Sequence, residues 1–348
     1  TCEALASAHD VTLVTASETE PAALADRFGY DLDGVAVHVP PLGRAVAGVL
    51  SVAAPRIGPQ LAARSAFLQR SFERIADRFD VAISTANELD LPIPSVQYVH
   101  YPQFRLDRLP DGDPGRLDRL WSRLSAPSDD TLMGPDVTLL ANSAWTADVV
   151  DRLYGTRPAV VHPPVDPVEC ETPWTDRENG IVTVGRFAPD KRPLDAIRIV
   201  DEVRERGHRV HLHVVGSAPR AYRDYAARIA AAAAERPYVT VERDVGRTRL
   251  ETLLCTHRYG LNTKPEEHFG MSVAEYVAAG MVAFAPDSGG QREVLDERED
   301  RLFDSVSDAA DLVSDAASDG EPPSTARDRF ARDRFGAALR DAVDRTVD

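Results

Sequence analysis

The chain alternates short apolar, β-branched runs with longer segments in which apolar residues recur at helical spacing. This alternation is typical of α/β proteins, in which helices join the strands of a parallel sheet. In the first half it predicts a helix at 3–8, a strand at 11–15, strands at 35–39, 81–84, 95–100, 137–141 and 159–162, and helices near 60–79, 115–125 and 144–154. In the second half it predicts strands at 181–184, 210–215, 238–241, 258–262 and 282–285, and helices at 192–206, 219–235, 247–256, 270–279, 290–297 and 308–321.

A proline-rich segment between Pro163 and Pro173 divides the two halves. Such a run favours an extended linker, and 348 residues exceed the size of one ordinary core. We therefore predict a first domain at 1–165 and a second at 166–323. The remaining segment, 324–348, has the pattern of an amphipathic helix.

The formal net charge of −16 argues against non-specific binding of nucleic acid, which needs a basic surface. Only Lys191 and Lys264 of the 40 basic residues are lysines. Two interpretations of this acidic, arginine-rich composition remain open. One is adaptation to a salt-rich, halophilic cytoplasm, where salt screens the repulsion between like charges. The other is a GC-rich genome. No apolar run is long enough for a membrane-spanning helix.

The cysteines and histidines lack the spacing of a metal site. The three cysteines, Cys2, Cys170 and Cys255, are scattered, and we expect them to be reduced. The nine histidines likewise show no clustered ligand set in the sequence. Asp31-Leu-Asp33 and Asp111-Gly-Asp113 are interpreted as solvated turns. We expect no bound metal.

Two carboxylates, Glu267 and Glu275, lie eight positions apart around a Phe-Gly step. The residues after Gly270 are predicted to begin a helix, and first-turn amides of a helix lack intrahelical partners and can face an anionic ligand. Glu267 then lies in the loop before the helix and Glu275 in its second turn, so the two can contact different hydroxyls of one polar ligand. An ordinary amphipathic helix with exposed glutamates is the alternative.

This segment resembles the E-x7-E signature of family 4 retaining glycosyltransferases. It is most similar to the branch of GDP-mannose-dependent α-1,2-mannosyltransferases that act in dolichol-linked oligosaccharide assembly. Further motifs that agree with the family lie at 98–102, 141–146, 160–166, 184–193 and 288–290. All of them occur in the expected order along the chain.

The resemblance implies the GT-B fold, in which two Rossmann-like, doubly wound domains face each other across a cleft. Family members have a first strand and a Gly-rich loop before the helix that we predict at Glu3, and both are expected to be missing here. The resemblance also implies that the C-terminal helix, within 324–348, crosses back to the first domain.

The resemblance assigns the nucleotide-sugar site to the second domain. The implied donor-binding residues are Gly185, Arg186, Lys191, Glu267, Phe269, Gly270 and Glu275. Arg186 and Lys191 form a G-R-x4-K motif and are expected to bind the donor diphosphate, whose negative charge grows as the glycosidic bond breaks. Glu267 is expected to contact hydroxyls of the donor sugar, near the backbone of Phe269 and Gly270. Glu275 is expected to accept hydrogen bonds from the ribose. The base is expected near 242–244.

On the first domain, His100 ends a predicted strand, and in related enzymes such a histidine contacts the transferred sugar. The implied catalytic set is therefore His100, Arg186, Lys191 and Glu267. A structural role for His100 and a surface ion pair for Arg186 are the alternatives. Asn87 and Glu88 line the cleft or form an exposed turn. The other polar residues nearby, Asn142, Ser143 and Thr146, are interpreted as a helix cap, and Trp145 as a packing residue.

The implied reaction transfers a hexose, by resemblance mannose from GDP-mannose, with retention of configuration and without metal or other cofactor. The leaving phosphate is expected to take the proton of the acceptor, a glycan or a polyprenyl-linked oligosaccharide. A UDP-hexose donor with a soluble glycan acceptor remains open. So does a catalytically inactive partner subunit that binds the nucleotide sugar.

The predicted helix at 60–79 is the candidate segment for contact with a membrane that holds a lipid-linked acceptor. This helix carries Arg64, Arg70 and Arg74 beside Phe67 and Phe72. Such a pattern fits a helix on a membrane surface or a core helix with a solvated arginine face. We expect a cytoplasmic protein. It contacts the membrane surface peripherally if the first of these two interpretations of the helix holds.

Overall fold

The computed structural model describes residues 1–16, 20–29, 31–41, 43, 45, 46, 48, 61–85, 87–109 and 116–347. The chain forms two compact units. Unit 1 comprises Thr1–His162 and Asp333–Asp348, and unit 2 comprises Pro163–Arg332. The division lies three residues before the predicted one, and residues 324–332 lie in unit 2. The Asp111-Gly-Asp113 motif falls outside the described residues.

The described residues of unit 1 form two parallel sheets. The smaller one pairs β1 (Thr12–Val14) with β2 (Ala36–His38). The larger one has the order β3-β4-β5-β6, with β3 at Ala82–Ser84, β4 at Ser95–Val99, β5 at Val137–Ala141 and β6 at Ala159–Val160. All five residues of β4 are buried, including the polar Ser95 and Gln97, and the Gln97 side-chain amide bonds the amide and carbonyl of Leu89. A cavity of about 1030 Å³ lies between β1 and β3.

Helices surround these sheets in the described part of unit 1, and those at Asp129–Leu132 and Ala144–Tyr154 contact β5 directly. The helices are α1 (Cys2–Ala6), α2 (Pro21–Phe28), α3 (Leu61–Phe72), α4 (Arg116–Ser125), α5 (Asp129–Leu132), α6 (Ala144–Tyr154) and α13 (Arg332–Val347). The predicted helix at 60–79 is too long, because α3 ends at Phe72 and a 3-10 turn follows at Ala76–Arg78. Ala62, Ala63 and Ala66 of α3 are buried, as in a core helix. Apolar residues of α13 pack on β4 through Phe335, whose ring meets that of Tyr98 edge-on.

Unit 2 is built on one parallel sheet of six strands in the order β12-β11-β10-β7-β8-β9. The strands are β7 (Glu178–Val184), β8 (His211–Gly216), β9 (Val239–Arg243), β10 (His257–Leu261), β11 (Val282–Pro286) and β12 (Leu302–Phe303). Numbered within the unit, this is the doubly wound order 3-2-1-4-5-6, whose switch point lies between β7 and β10. Ligands of such sheets bind outside the carboxyl ends of the strands at this point.

Helices cover both faces of the unit 2 sheet. They are α7 (Pro193–Glu205), α8 (Arg223–Ala234), α9 (Arg247–Thr256), α10 (Met271–Ala278), α11 (Gln291–Val294) and α12 (Val306–Asp319). One face buries Ile197 and Val200 of α7, and the other buries Val273 and Tyr276 of α10. The predicted helix at 290–297 is also too long. It ends at Val294, because two later residues, Asp296 and Glu297, have left-handed backbone angles.

The expectation of three reduced cysteines is wrong. Cys170 and Cys255 form a disulfide with an S–S distance of 2.07 Å, and Cys2 is free. The two residues are 85 positions apart and meet because the end of α9 lies against the segment that leads into β7. The spacing of the cysteines along the sequence does not reveal that these two lie close together. A crosslink over so long a loop restricts the unfolded chain and stabilises unit 2.

Among the helices that the structure describes, none combines the length and the apolar character needed to cross a lipid bilayer.

Candidate functional site

The residues predicted to bind the donor gather at the carboxyl ends of β7 and β10. Gly185 and Arg186 follow β7 directly, and Lys191 closes the 3-10 turn at Pro189–Lys191 before α7 begins. The Lys191 ammonium donates a hydrogen bond of 2.5 Å to Oε2 of Glu267, which lies in the loop between β10 and α10. Lys191 and Glu267, which are 76 residues apart in sequence, therefore meet at the switch point of the sheet.

A second lysine completes this charged group. Nζ of Lys264 lies 3.7 Å from Oε1 of Glu267, and both side chains are 15% exposed. Desolvation by burial opposes ionisation of Glu267, yet the charges of Lys191 and Lys264 lower the pKa of this carboxyl. Desolvation lowers the pKa of Lys264. Lys264 was not predicted as a site residue, although its being one of only two lysines was a signal for it.

A buried glutamine holds the loop that carries Glu267. The Gln291 side-chain amide is fully buried and donates to the carbonyls of Lys264, Pro286 and Ser288 at 3.0–3.1 Å. Its oxygen accepts a 2.6 Å bond from Asn262, just after β10. The carbonyl of Glu267 accepts from the amide of Gly290 at 2.8 Å. These bonds join the end of β10 to the Ser288–Gly290 turn and fix the position of Glu267.

Helix α10 begins immediately after this loop. Gly270 is its N-cap, with a left-handed φ of 102° that disfavours side chains other than glycine. In the second turn, the Tyr276 hydroxyl accepts a 2.7 Å bond from the Val184 amide. The helix that carries Glu275 is thereby tied to the strand that ends at Gly185. The Phe269 side chain is buried and packs edge-on against Phe330.

Two further predicted donor ligands, Glu275 and Arg186, also have protein partners. Glu275 binds Nη1 of Arg247 at 2.7 Å, and Arg247 also binds Glu251. Arg186 lies 3.5 Å from Asp190, and its side chain is 55% exposed. An ion pair that is this exposed adds little stability, which leaves the guanidinium available to a ligand. Arg247, at the start of α9, was missed because arginines are too common in this chain to stand out.

In unit 1, His100 lies directly after β4. Its amide and that of Tyr101 donate to Asn87 Oδ1, at 2.8 and 3.1 Å, and its carbonyl accepts from Asn142 Nδ2 at 3.0 Å. The residue is exposed, and its ring meets that of Tyr98 in an edge-on arrangement, with centroids 4.8 Å apart. Desolvation lowers the pKa of His100. The loop that presents this imidazole is thus held by side chains of two neighbouring segments.

The remaining polar residues of unit 1 have structural roles. Ser143 caps α6 by accepting from the Thr146 amide at 3.0 Å, as predicted, whereas Asn142 binds the His100 loop. Trp145 stacks on Tyr101, with ring centroids 5.8 Å apart. Glu88 is 1% exposed, so the alternative of an exposed turn is wrong for it.

Glu88 Oε1 accepts three hydrogen bonds, from the amides of Gln103 and Phe104 at 2.9 Å and from the Tyr154 hydroxyl at 3.0 Å. Among the described residues, its Oε2 has no hydrogen-bond partner. Burial raises the pKa of Glu88 to about 7.

Two expectations about unit 2 are wrong. Glu242 and Arg243 belong to β9 and not to a loop after it, and Glu242 pairs with Arg249 and His213. The histidines do form a cluster. His211, His213 and His257 are brought together by β8 and β10, the two strands that flank β7, at the amino-terminal ends of the strands and thus opposite the site around Glu267.

Residues 170–329 match the family Glycosyl transferases group 1. The chain contains a group 1 glycosyltransferase domain. All the predicted donor-binding residues, from Gly185 to Glu275, lie within it. The resemblance seen in the sequence is therefore confirmed.

One curated relative is a protein of Neurospora crassa named GDP-Man:Man(3)GlcNAc(2)-PP-Dol alpha-1,2-mannosyltransferase. It is 28% identical over 250 residues, which cover 58% of this chain and 45% of the relative. The chain thus spans less than half of the length of this relative.

Two solved structures have a fold similar to that of this chain. The Anabaena protein HepE, in complex with UDP and glucose, has a TM-score of 0.67 at 13% identity and covers 99% of this chain and 94% of its own. WaaG, a glycosyltransferase involved in lipopolysaccharide biosynthesis, has a TM-score of 0.63 at 15% identity, over 97% and 92% of the two chains. These matches and the parallel sheets of both units confirm the GT-B fold.

Proposed function

We propose that the protein is a retaining glycosyltransferase that transfers mannose from GDP-mannose to a glycan or polyprenyl-linked oligosaccharide. The observation that carries this proposal is the group formed by Lys191, Glu267 and Lys264 at the switch point of the unit 2 sheet. Cations and a carboxylate at this position suit a ligand that carries both phosphates and hydroxyls.

The cations bind the diphosphate in this proposal. An ammonium has three donors, so Lys191 can keep its bond to Glu267 and still donate to a phosphate oxygen. Arg186 adds a fork of donors at the rim of the site. As the glycosidic bond breaks, negative charge develops on the leaving diphosphate, and these cations stabilise the transition state more than the ground state.

The carboxylates recognise hydroxyl groups. Glu267 stays ionised because two lysines lower its pKa, so both of its oxygens accept hydrogen bonds from the donor sugar. Glu275 has one oxygen engaged by Arg247 and offers the other to the ribose. The first-turn amides of α10, after Gly270, and the Phe269 backbone complete the donor side.

The acceptor reacts on the same face of the sugar from which the diphosphate leaves. The leaving phosphate oxygen takes the acceptor proton, so the scheme needs no metal or other cofactor, and configuration is retained. His100 is proposed to contact the transferred sugar. The expected site of action is the cytoplasmic side of a membrane that holds the lipid-linked acceptor.

The name of the Neurospora relative favours mannose and a dolichol-linked acceptor. The second candidate is a UDP-hexose donor, which the UDP and glucose in the HepE complex favour. The two candidates share the diphosphate site and differ in the base, so a comparison of nucleotides separates them.

The test is calorimetric binding of GDP, GDP-mannose, UDP and UDP-glucose in molar KCl. We expect selective binding of the guanine nucleotides, lost in Lys191→Ala and kept in the control Arg198→Ala, an exposed position on α7 in the same unit. Selective binding of the uracil nucleotides would show that the donor is a UDP-sugar, and the assigned diphosphate site would stand. Binding that survives Lys191→Ala would contradict the site itself. Turnover with an oligosaccharide acceptor, followed by NMR of the anomeric proton, tests retention and excludes an inactive partner subunit.

A further inference from the structure

Three histidines converge at the amino-terminal edge of the unit 2 sheet. His211 and His213 lie on one face of β8, two residues apart, and His257 begins β10. One ring nitrogen of each lies within 4.8 Å of the others. Nε2 of His257 is 3.0 Å from Nε2 of His211, which in turn lies 3.4 Å from Oε2 of Glu178.

The distances of 3.0 and 3.4 Å are close to those between two ligands of a tetrahedral metal site, and the 4.8 Å limit of the three ring nitrogens is wider, so that small shifts of the rings would complete the site. Two nitrogens bound to Zn²⁺ at about 2.05 Å in a tetrahedron are roughly 3.3 Å apart. Imidazole suits Zn²⁺ and its neighbours in the first transition series, whereas Mg²⁺ and Ca²⁺ take oxygen ligands. The histidines supply three ligands, and Glu178, at the start of β7, is within reach as a fourth.

Gly180 makes the convergence possible. It lies in β7, the strand between β8 and β10. A Cβ at this position would lie 2.4 Å from both His211 Nε2 and His257 Cδ2. Any other residue would therefore displace the two rings that meet over the middle strand.

Two of the rings are oriented by hydrogen bonds on their other side. Nδ1 of His257 lies 2.9 Å from the Leu253 carbonyl, which leaves its Nε2 to present a lone pair to the cluster. Nδ1 of His213 lies 3.2 Å from Oε1 of Glu242, and Arg249 holds the same carboxylate. Carbonyl and carboxylate partners of this kind fix the tautomer and direction of metal-binding histidines.

We propose that His211, His213, His257 and Glu178 bind one Zn²⁺ ion. The site is independent of the proposed function, because β7 spans roughly 20 Å, at about 3.3 Å per residue, between Glu178 and Val184. It departs from the sequence-based expectation of no metal. Such an ion would tie β7, β8 and β10 together at the edge of the sheet that faces away from the donor site.

The test uses chelator-treated, untagged protein titrated with Zn²⁺, and with Co²⁺ as a spectroscopic probe. We expect one equivalent to bind, a rise in Tm, and the visible bands of tetrahedral Co²⁺, which Zn²⁺ abolishes. Loss of a ligand in His211→Gln or His257→Gln is expected to weaken binding at least ~100-fold, and loss of an orienting partner in Glu242→Gln about 10- to 100-fold. The matched control is His208→Gln, a histidine of the same unit outside the cluster.

The absence of stoichiometric binding by the wild-type chain would overturn the proposal, whatever the folding of the variants. So would binding that is unchanged in His211→Gln and His257→Gln, each checked for folding by circular dichroism, or binding that His208→Gln weakens to the same extent.

Discussion

Each unit contains a glutamate that is largely removed from water, and the pKa values of the two carboxyls are shifted in opposite directions. Glu267 in unit 2 has two lysines beside it, and its pKa is lowered. Glu88 in unit 1 accepts from two amides and a tyrosine hydroxyl, and its pKa is raised to about 7. Both side chains are largely removed from water, so the difference arises from their partners.

Neutral donors compensate only part of the cost of burying a charge, whereas cations reverse it. Glu267, whose pKa is lowered by its two lysines, can hold a polar ligand as a carboxylate, at the point of the sheet where ligands bind. Glu88 is suited to stabilise the turn at Gln103 and Phe104. A buried carboxylate near a predicted cleft is thus a weak indication of function until its partners are known.

The largest expected effect is the loss of kcat/KM when the cation nearest to Glu267 is removed. Lys191→Met removes one of its two cations and one of the diphosphate ligands. We expect kcat/KM with the donor to fall about 10²- to 10³-fold, the usual effect of losing a charge-stabilising group in the transition state. Steady-state kinetics against Arg198→Met, an exposed control on α7, measures this. A change of less than about threefold, small beside the effect of losing such a group, would contradict the assigned role.

Glu88→Gln tests whether the raised pKa of Glu88 makes the stability of the fold depend on pH. The folded-state pKa of Glu88, about 7, exceeds its ordinary value of 4.5, so the folded protein holds a proton that the unfolded chain releases. The free energy of unfolding should therefore fall as pH rises from 4.5 to 7, by at most about 3 kcal/mol from this group. Glutamine keeps an acceptor oxygen and abolishes that slope.

Denaturant unfolding of both proteins across this pH range measures the difference. Glu73→Gln, an exposed position in the same unit, is the control and should retain the wild-type slope. Parallel pH profiles for wild type and Glu88→Gln would show that Glu88 does not titrate in this range.

Alternating strands and helices, and the segments that carry Lys191 and Glu267, could be predicted from sequence. Such features depend on local periodicity and on residues close in the chain. The histidine cluster could not, because His211 and His257 meet only through the strand order β10-β7-β8 and the missing side chain of Gly180. The Cys170–Cys255 bond and the burial of Glu88 were missed for the same reason: each depends on contacts between distant segments.

A smaller effect is expected for the second lysine near Glu267. Lys264 lies at 3.7 Å and is a weaker partner than Lys191 at 2.5 Å. We expect Lys264→Met to lower kcat/KM about 10-fold, or about 1.4 kcal/mol, by weakening the hold on Glu267 and the charge at the diphosphate. Comparison with Lys191→Met under the same conditions measures it. An effect larger than that of Lys191→Met would reverse the order of the two lysines.

The smallest effect concerns one hydrogen bond to Glu88. Tyr154→Phe removes the hydroxyl that donates to Oε1 and leaves the two amides in place. A bond to an ionised carboxylate is stronger than a bond to a neutral carboxyl, so the loss in unfolding free energy should be about 1 kcal/mol above the pKa of Glu88 and smaller below it. Hydrogen exchange of the Phe104 amide, measured on either side of about pH 7, reports this loss locally.

In the Glu88→Gln background the pH dependence of the loss should disappear, as a double-mutant cycle would show. An equal loss at both pH values would instead mean that Tyr154 contributes by packing, since a ring contact does not depend on the charge of the carboxyl.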